Sequence, residues 1–431
     1  MRSLIISSAL LIGLFSLPIE TSNAQDLYRS GSTYSYYGLG MPNDYRAPNA
    51  AGMNVIGTSV YDMRISSTAN PAILGTNRYT NINGGFNVTG YEMSDDVSSV
   101  SQTHIESSQL QMSFPVLRDR LGVSASILPE TSYNFSLSSQ DSLSAVESPS
   151  GSTLRYDTET VASGGLNRIE IGVGYRVAPR TYIGIAPAFY FGTLSQRIDL
   201  SFDDDDFEPV NFSRNTSHTG WGGRVGFLQI IPGVINPTDI LSVGISASLP
   251  VSLDAERRFE TELDDGENVR LPNSKETRTV EYPLDLSAGL TYVLSDNFKV
   301  SSDVLYQNWS NYEPFEAQGN VTYIDRFRTG LGAEITGHNP NTPPSFFGDL
   351  IYRAGISYDS GSIEINDNRI NTYRASVGIG IPTSDRSSSL NINFDYGVRG
   401  TQSDGLIREE IFELRVSFNL SELMFFRPRL R

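Results

Sequence analysis

No cysteine occurs among the 431 residues of the chain. This excludes disulfide scaffolds, thiol nucleophiles and cysteine-held zinc, and it suits an oxidising compartment in which stray thiols would mispair. Histidine is almost as scarce. His104, His218 and His338 are far apart, none adjoins a nucleophile motif, and no Gly-x-Ser-x-Gly elbow is present, so no catalytic residue and no enzymatic activity are expected. The 32 lysines and arginines are outnumbered by 49 acids, a net charge of -17 with no basic stripe, which argues against a nucleic-acid partner. Long apolar runs are missing as well: beyond the first 20 residues no stretch reaches the ~18 apolar residues of a membrane helix. A mean hydropathy of -0.24 would ordinarily indicate a soluble chain. In a transmembrane barrel, however, a lipid-facing apolar face and a polar lumen cancel in any average.

What is present begins with an export signal. Arg2 precedes an apolar core from Leu4 to Leu17, and Ser22-Asn23-Ala24 places small residues at the two positions a signal peptidase reads. Cleavage after Ala24 is expected, making residues 1–24 a signal peptide. No cysteine follows the cleavage site, so lipidation there is excluded.

From about Arg78 onward, apolar and polar residues alternate with period two, the mark of strands with one face of each kind. Leu390, Ile392, Phe394, Tyr396 and Val398 alternate with Asn391, Asn393, Asp395 and Gly397; Phe412, Leu414, Val416, Phe418 and Leu420 do so with Glu413, Arg415, Ser417 and Asn419. Segments of this kind number about fourteen, with Leu121 to Leu137 read as one long strand. They run for about nine residues or more, the length that tilted strands need to cross a bilayer and longer than the ~5 to 6 of a soluble sandwich. Small residues on the second face, such as Gly172, Gly174, Gly244 and Ser246, make a poor sandwich core and a plausible lumen wall.

The expected fold is therefore all-β: a transmembrane antiparallel up-and-down barrel over residues 78–420, in the cell outer membrane. Tight turns at Arg118-Asp119, Ala178-Pro179 and Ser295-Asp296-Asn297 should face the periplasm. The longer, acidic links at 139–153, 203–209, 261–274 and 312–318 should face outward. Residues 25–77 do not alternate and are rich in glycine, tyrosine and asparagine, which suggests an N-terminal plug inside the lumen, where irregular backbone is shielded from lipid. Residues 421–431 read as a basic periplasmic tail. Tyr175, Tyr190, Phe191, Trp221, Tyr292, Trp309 and Tyr358 suit interfacial girdles. The run Asp203-Asp204-Asp205-Asp206 could bind calcium through hard oxygen ligands, but a solvated acidic loop, bridged through cations to lipopolysaccharide and other outer-membrane lipid, is the preferred reading. No cofactor is expected.

About fourteen strands, a plug-like leading segment and Asn70-Pro71-Ala72 just before the first strand together resemble the FadL-type outer-membrane transporters of long-chain fatty acids and other hydrophobic compounds. Ser32-Thr33-Tyr34-Ser35-Tyr36-Tyr37-Gly38-Leu39-Gly40 is similar to the N-terminal sequence of uncharacterised barrels of that type. The resemblance implies a lumenal hatch with its gate at Asn70, Pro71 and Ala72, abutting an inward kink of the third strand where a lateral opening leads into the membrane. Pro129 falls in that strand, and a proline, which cannot donate to a ladder, suits such a kink. The chain departs from the commonest barrel ending, a terminal phenylalanine, by continuing to Phe425-Phe426-Arg427-Pro428-Arg429.

The function expected is passive uptake of a hydrophobic small molecule. Two alternatives remain open here: a binding or assembly subunit of a protein-secretion system, with a protein partner, and a general porin.

Overall fold

The computed structural model describes residues 30–44, 47–143, 154–203, 209–262, 268–316, 319–337, 345–383 and 386–422. The signal-peptide site at Ala24, Asp204 to Asp206, residues 338–344 with their three prolines, and residues 423–431 of the expected basic tail lie outside them, whereas Ser421 and Glu422 belong to the last strand.

Fourteen antiparallel strands close into a barrel. They are β1 (Thr80–Ser94), β2 (Ser99–Leu117), β3 in a lower stretch (Leu121–Pro129) and an upper one (Phe135–Leu143), β4 (Leu154–Ala178), β5 (Thr181–Phe202), β6 (Val210–Pro232), and β7 (Ile240–Ser248 with Val251–Glu262). Then follow β8 (Asn268–Tyr282 with Asp285–Ser295), β9 (Phe298–Gln307), β10 (Arg326–Thr336), β11 (Ile351–Asp359), β12 (Thr372–Pro382), β13 (Ser389–Arg399) and β14 (Arg408–Glu422). Closure is a ladder between the first strand and the last, from Thr80↔Glu422 to Ser94↔Arg408. With no edge left at that seam, backbone groups that could not find water in the bilayer are paired.

The alternation decides which face looks where. On β13, Phe394 and Tyr396 are exposed to the outside, whereas Asn391, Asn393 and Asp395 are buried toward the lumen; on β14, Phe412, Phe418 and Leu420 face out, and Glu413, Ser417 and Asn419 face in. The molecule is thus inside out relative to a soluble protein. Aromatic pairs mark the outer interface: Tyr396 with Phe412, Tyr306 with Phe327, Tyr358 with Tyr373, and Phe189 with Trp221. Two expected girdle residues are not there. Tyr190 and Trp309 are buried on the lumen side, in an apolar cluster with Leu39, Tyr133 and Tyr282, because they occupy inward positions in their elements. The acidic link expected at 261–274 is also shorter, since β7 and β8 continue pairing to Glu262↔Asn268.

Residues 47–77 are almost wholly buried and contact the inward face of the barrel. The lumen-facing glycines make room for them: a β-carbon at Gly226 would fall 2.0 Å from Asn70 Oδ1, and one at Gly244 would fall 2.2 Å from the Thr58 carbonyl. A wall of larger side chains would exclude this backbone. Replacing Gly226 by alanine should therefore cost about 1–3 kcal/mol through overpacking, whereas Gly223→Ala on the same strand, whose β-carbon would meet nothing closer than 3.4 Å, should be tolerated. Thermal unfolding of the two variants in detergent would check the contrast.

On the periplasmic side, Asp239 closes the turn between β6 and β7. Its carboxylate accepts from the backbone N–H groups of Val234, Ile235 and Asn236 at 2.7–2.8 Å and from the Tyr292 hydroxyl. Burial pushes the carboxyl up, but these donors outweigh it and hold it at about 2. A depressed carboxyl stabilises the turn above its unfolded value of about 3.9 and loses that contribution as pH falls toward 2. The Ile235 amide resonance should titrate near pH 2 in the native protein, and Asp239→Asn should abolish that titration and accelerate its exchange with solvent.

Candidate functional site

The plug is held at several points by buried polar contacts. At its leading end, Glu409 accepts from Ser32 Oγ, Thr33 N and Thr33 Oγ1 at 2.8–2.9 Å and from Arg399 Nη1 at 3.1 Å. Further along, the Arg326 guanidinium forks between Asp44 of the plug and Asp359 of β11, with its Nε 3.0 Å from Asp359 Oδ1. Gly57 N donates to Asp303 Oδ2 at 2.8 Å. Largely withdrawn from water, such contacts fix geometry more than they add stability, but removing one partner of the Arg326 fork leaves an uncompensated charge.

Asn70, Pro71 and Ala72 form the start of a short 3-10 helix that ends at Thr76. Asn70 is its N-cap: the side-chain oxygen accepts from Ala72 N at 3.0 Å, and the amide nitrogen donates to the Thr58 and Phe227 carbonyls at 3.0 and 2.9 Å. Proline suits the first helical position because its missing N–H would have no partner there. The tripeptide is thereby fastened to β5 and β6.

The third strand does break where Pro129 stands. The lower stretch ends at Pro129, paired with Asn167 of β4. Residues 130–134 then leave the wall and turn inward, where Met41↔Ser132 and Pro42↔Thr131 form a two-residue ladder with the plug, extended by Asn43 N to Glu130 O at 2.8 Å. The strand rejoins the wall at Phe135↔Ala162. Opposite the break, Gly164 and Gly165 have φ of 116° and 150°, and a β-carbon on Gly165 would lie 2.2 Å from the Thr131 carbonyl, so only glycine admits the inward loop. An ion pair pins it: Arg168 of β4, almost fully buried, binds Glu130 and, at 3.3 Å, Glu170. Nothing in the local sequence pattern identifies Glu130 and Arg168 as partners, because their 38-residue separation is closed only by the β3–β4 ladder.

Asn70–Ala72 and the break are not brought together. The described plug residues that touch the break belong to its leading part, Gly31, Ser35 and Gly40 to Asn43, while the helix after Asn70 meets the lower stretch of β3 through Leu74, whose carbonyl lies 2.0 Å from a β-carbon built on Gly122.

Three cavities touch the inward loop; the smallest, about 110 Å³ and polar, is lined by Ser132, Met41 to Asp44 and Arg326, and the other two flank the loop. Outside it, a cavity of about 640 Å³ opens in the wall, lined by Phe86, His104, Glu106, Pro129, Asn134 and Gly165. Beneath the extracellular loops, a second of about 460 Å³ is lined by Tyr36, Leu39, Tyr133, Leu194, Val280 and Phe315. Its polar end carries Arg214 and Arg257, which share the exposed carboxylate of Glu316 at 3.3 and 3.1 Å, and the Arg257 guanidinium stacks 3.9 Å above the Phe315 ring. Tyr133 lines the aromatic cavity and its neighbours Ser132 and Asn134 line the wall cavity, so the loop is the partition between them. Of the described histidines, His104 lies in the wall cavity, 3.6 Å from Glu106, and His218 in the aromatic one. Among the described residues no cluster of histidines and acids could hold a metal.

Comparison with known proteins gives a consistent fold. A family model described as BamG matches residues 5–430. No curated protein sequence matches. Among solved structures, the toluene transporter TbuX of Ralstonia pickettii aligns at a TM-score of 0.56 and 14% identity, over 90% of this chain and 99% of that one. A Pseudomonas aeruginosa FadL homologue aligns at 0.52 and 13%, over 94% and 99%. The toluene transporter TodX of P. putida aligns at 0.52 and 15%, over 86% and 94%. The FadL-like barrel anticipated from the sequence is the architecture found.

If the ion pairs anchor the plug, Arg326→Gln should free it at Asp44 at a cost of about 3–5 kcal/mol. Limited proteolysis of the purified barrel should then cut within residues 30–77 many times faster, while the strands stay intact.

Proposed function

This chain belongs to the BamG family, and we propose that in the outer membrane it takes up hydrophobic small molecules passively, with a lateral exit through the break in β3. One observation carries this reading: an aromatic cavity below the extracellular loops and a cavity in the membrane wall lie on either side of one inward loop. A ligand enters the aromatic cavity from outside, driven by burial of its apolar surface at roughly 25 cal/mol per Å². The arginine pair at the polar end favours ligands with an acidic group. Displacement of the loop then joins the two cavities. Because Met41 to Asn43 are laddered to that loop, the hatch and the lateral exit move as one. Asn70, Pro71 and Ala72 serve in this scheme as the fixed hinge of the hatch, and Pro129 as the stop that ends the lower ladder. No metal, cofactor or chemical step enters it.

Cross-linking tests the coupling. Met41→Cys and Ser132→Cys face each other in the ladder, so oxidising the double variant should block uptake of a labelled fatty acid into proteoliposomes, and reduction should restore it. Equal uptake in both states would refute lateral exit by loop displacement.

A second reading, a subunit that holds a protein partner, draws on a different observation. From Phe191 to Phe202, β5 continues for about 35 Å beyond the outer aromatic girdle, laddered to β4 throughout and to β6 as far as Leu200. A transporter has little need for a sheet that tall on one side. Affinity purification separates the readings, since a transporter carries lipid-like ligands and a subunit brings a large partner with it. A general porin fits less well, because residues 47–77 contact the wall from β3 to β11.

A further inference from the structure

Above the break, the wall does not close. The ladder between β2 and β3 ends at Leu110↔Ile127, and the upper stretch of β3 pairs with β4 alone. Among the described residues, the upper half of β2 and the whole of Phe135–Leu143 therefore face each other as two strand edges without a ladder. Side chains bridge them at one level: Gln102 Nε2 donates to the Ser136 carbonyl at 3.0 Å, and Gln102 Oε1 accepts from Gly31 N at 3.1 Å. That bond also fixes orientation. The Ser136 carbonyl is turned from β4 toward β2, so by the alternation of a strand the N–H and C=O groups of Ser138 and Gln140 point the same way. On β2, the Thr103 carbonyl accepts from Ser30 Oγ, which turns Ile105 toward the slot by the same rule.

An edge of this kind is normally blunted by proline, lysine or a bulge. The nine residues Phe135–Leu143 contain neither proline nor lysine, and their register with β4 runs unbroken. The base of the slot is the wall cavity of about 640 Å³, where His104 is 5% exposed and its Nδ1 has no hydrogen-bond partner among the described residues. A single glutamine side chain, Gln102, reaches across the slot, which leaves no room for a helix of ~10–12 Å diameter. The strand tops around it are acidic: Glu92, Asp95, Asp96, Asp141, Asp157 and Glu159 are exposed, with Arg155 the one cation among the described residues of the same strand tops.

We propose that this slot is a β-augmentation site for an extended, basic segment of a partner protein at the cell surface. Main-chain bonds to Ser138 and Gln140 supply the pairing, and the acidic rim selects lysine- or arginine-bearing strands and repels acidic ones. The site lies apart from the aromatic cavity and does not depend on the uptake reading.

The probe is a fluorescein-labelled nine-residue peptide that alternates lysine with threonine or valine, added to the full-length mature barrel in detergent. Fluorescence anisotropy reads binding, and hydrogen exchange reads the amides of Phe135–Leu143. Binding should protect the Ser138 and Gln140 amides, weaken steeply with salt, and fall about ten-fold or more when alternate peptide amides are methylated or when Ser138→Pro removes an outward N–H without touching the β4 ladder. Because a proline variant could disturb the strand, Asp157→Asn with Glu159→Gln serves as an independent arm and should weaken binding without altering exchange in the free protein. Equal binding by the acidic counterpart or by the methylated peptide would overturn the proposal. So would protection of Ser138 and Gln140 in the free protein, which would mean that the chain covers its own edge, or protection by lipid vesicles lacking any peptide.

Discussion

A strand inside a bilayer has no water to satisfy its N–H and C=O groups, and an unpaired group costs several kcal/mol. Fourteen strands joined from Thr80 to Glu422 meet that demand, and most other features of the molecule are arranged around the one place where the demand is relaxed. At residues 130–134 the third strand leaves the wall, yet its backbone is not abandoned: Met41, Pro42 and Asn43 accept it on one side, and Leu166 and Gly164 of β4 on the other. The break is a rerouting of hydrogen bonds from wall to plug.

That rerouting makes the plug part of the sheet rather than a body resting in a tube. Its polar groups, the Asp44 carboxylate among them, lock to the wall charges Glu409, Arg326 and Asp303, and its backbone fits against glycines such as Gly226 and Gly244 that leave space for it. Buried ion pairs add little net stability against apolar packing, but they penalise every alternative register by exposing an unpaired charge. The lumen consequently divides into small compartments instead of one channel. The loop that separates the aromatic cavity from the wall cavity is also the loop on which the plug is strung, so the two cavities cannot join through it without moving the plug.

The same break has a consequence above the membrane. Once β3 departs from β2, the two strands do not reform a ladder among the described residues, and the extracellular continuation of β3 to β6 becomes a sheet with an open side. A rerouting of hydrogen bonds within the bilayer thereby leaves a strand edge outside it that no described residue ladders.

How much of this was legible in the chain follows from the range of each interaction. Period-two alternation is a local property, so Leu390 to Val398 and Phe412 to Leu420 declared themselves as strands with one lipid face, and strand length distinguished a membrane barrel from a sandwich. Pro129 was readable as a break because a missing donor is a property of one residue. The direction of the break, its ladder with Met41 and Pro42, and the Glu130–Arg168 lock were not readable, since each joins residues far apart in the chain. Tyr190 and Trp309 show the same limit: an aromatic residue near a strand end suits a girdle or a lumen equally, and only the register decides its face. The sequence by itself determined the wall, because the wall is made of neighbours; the compartments inside it were decided by tertiary structure, because they are made of residues that only closure of the barrel brings together.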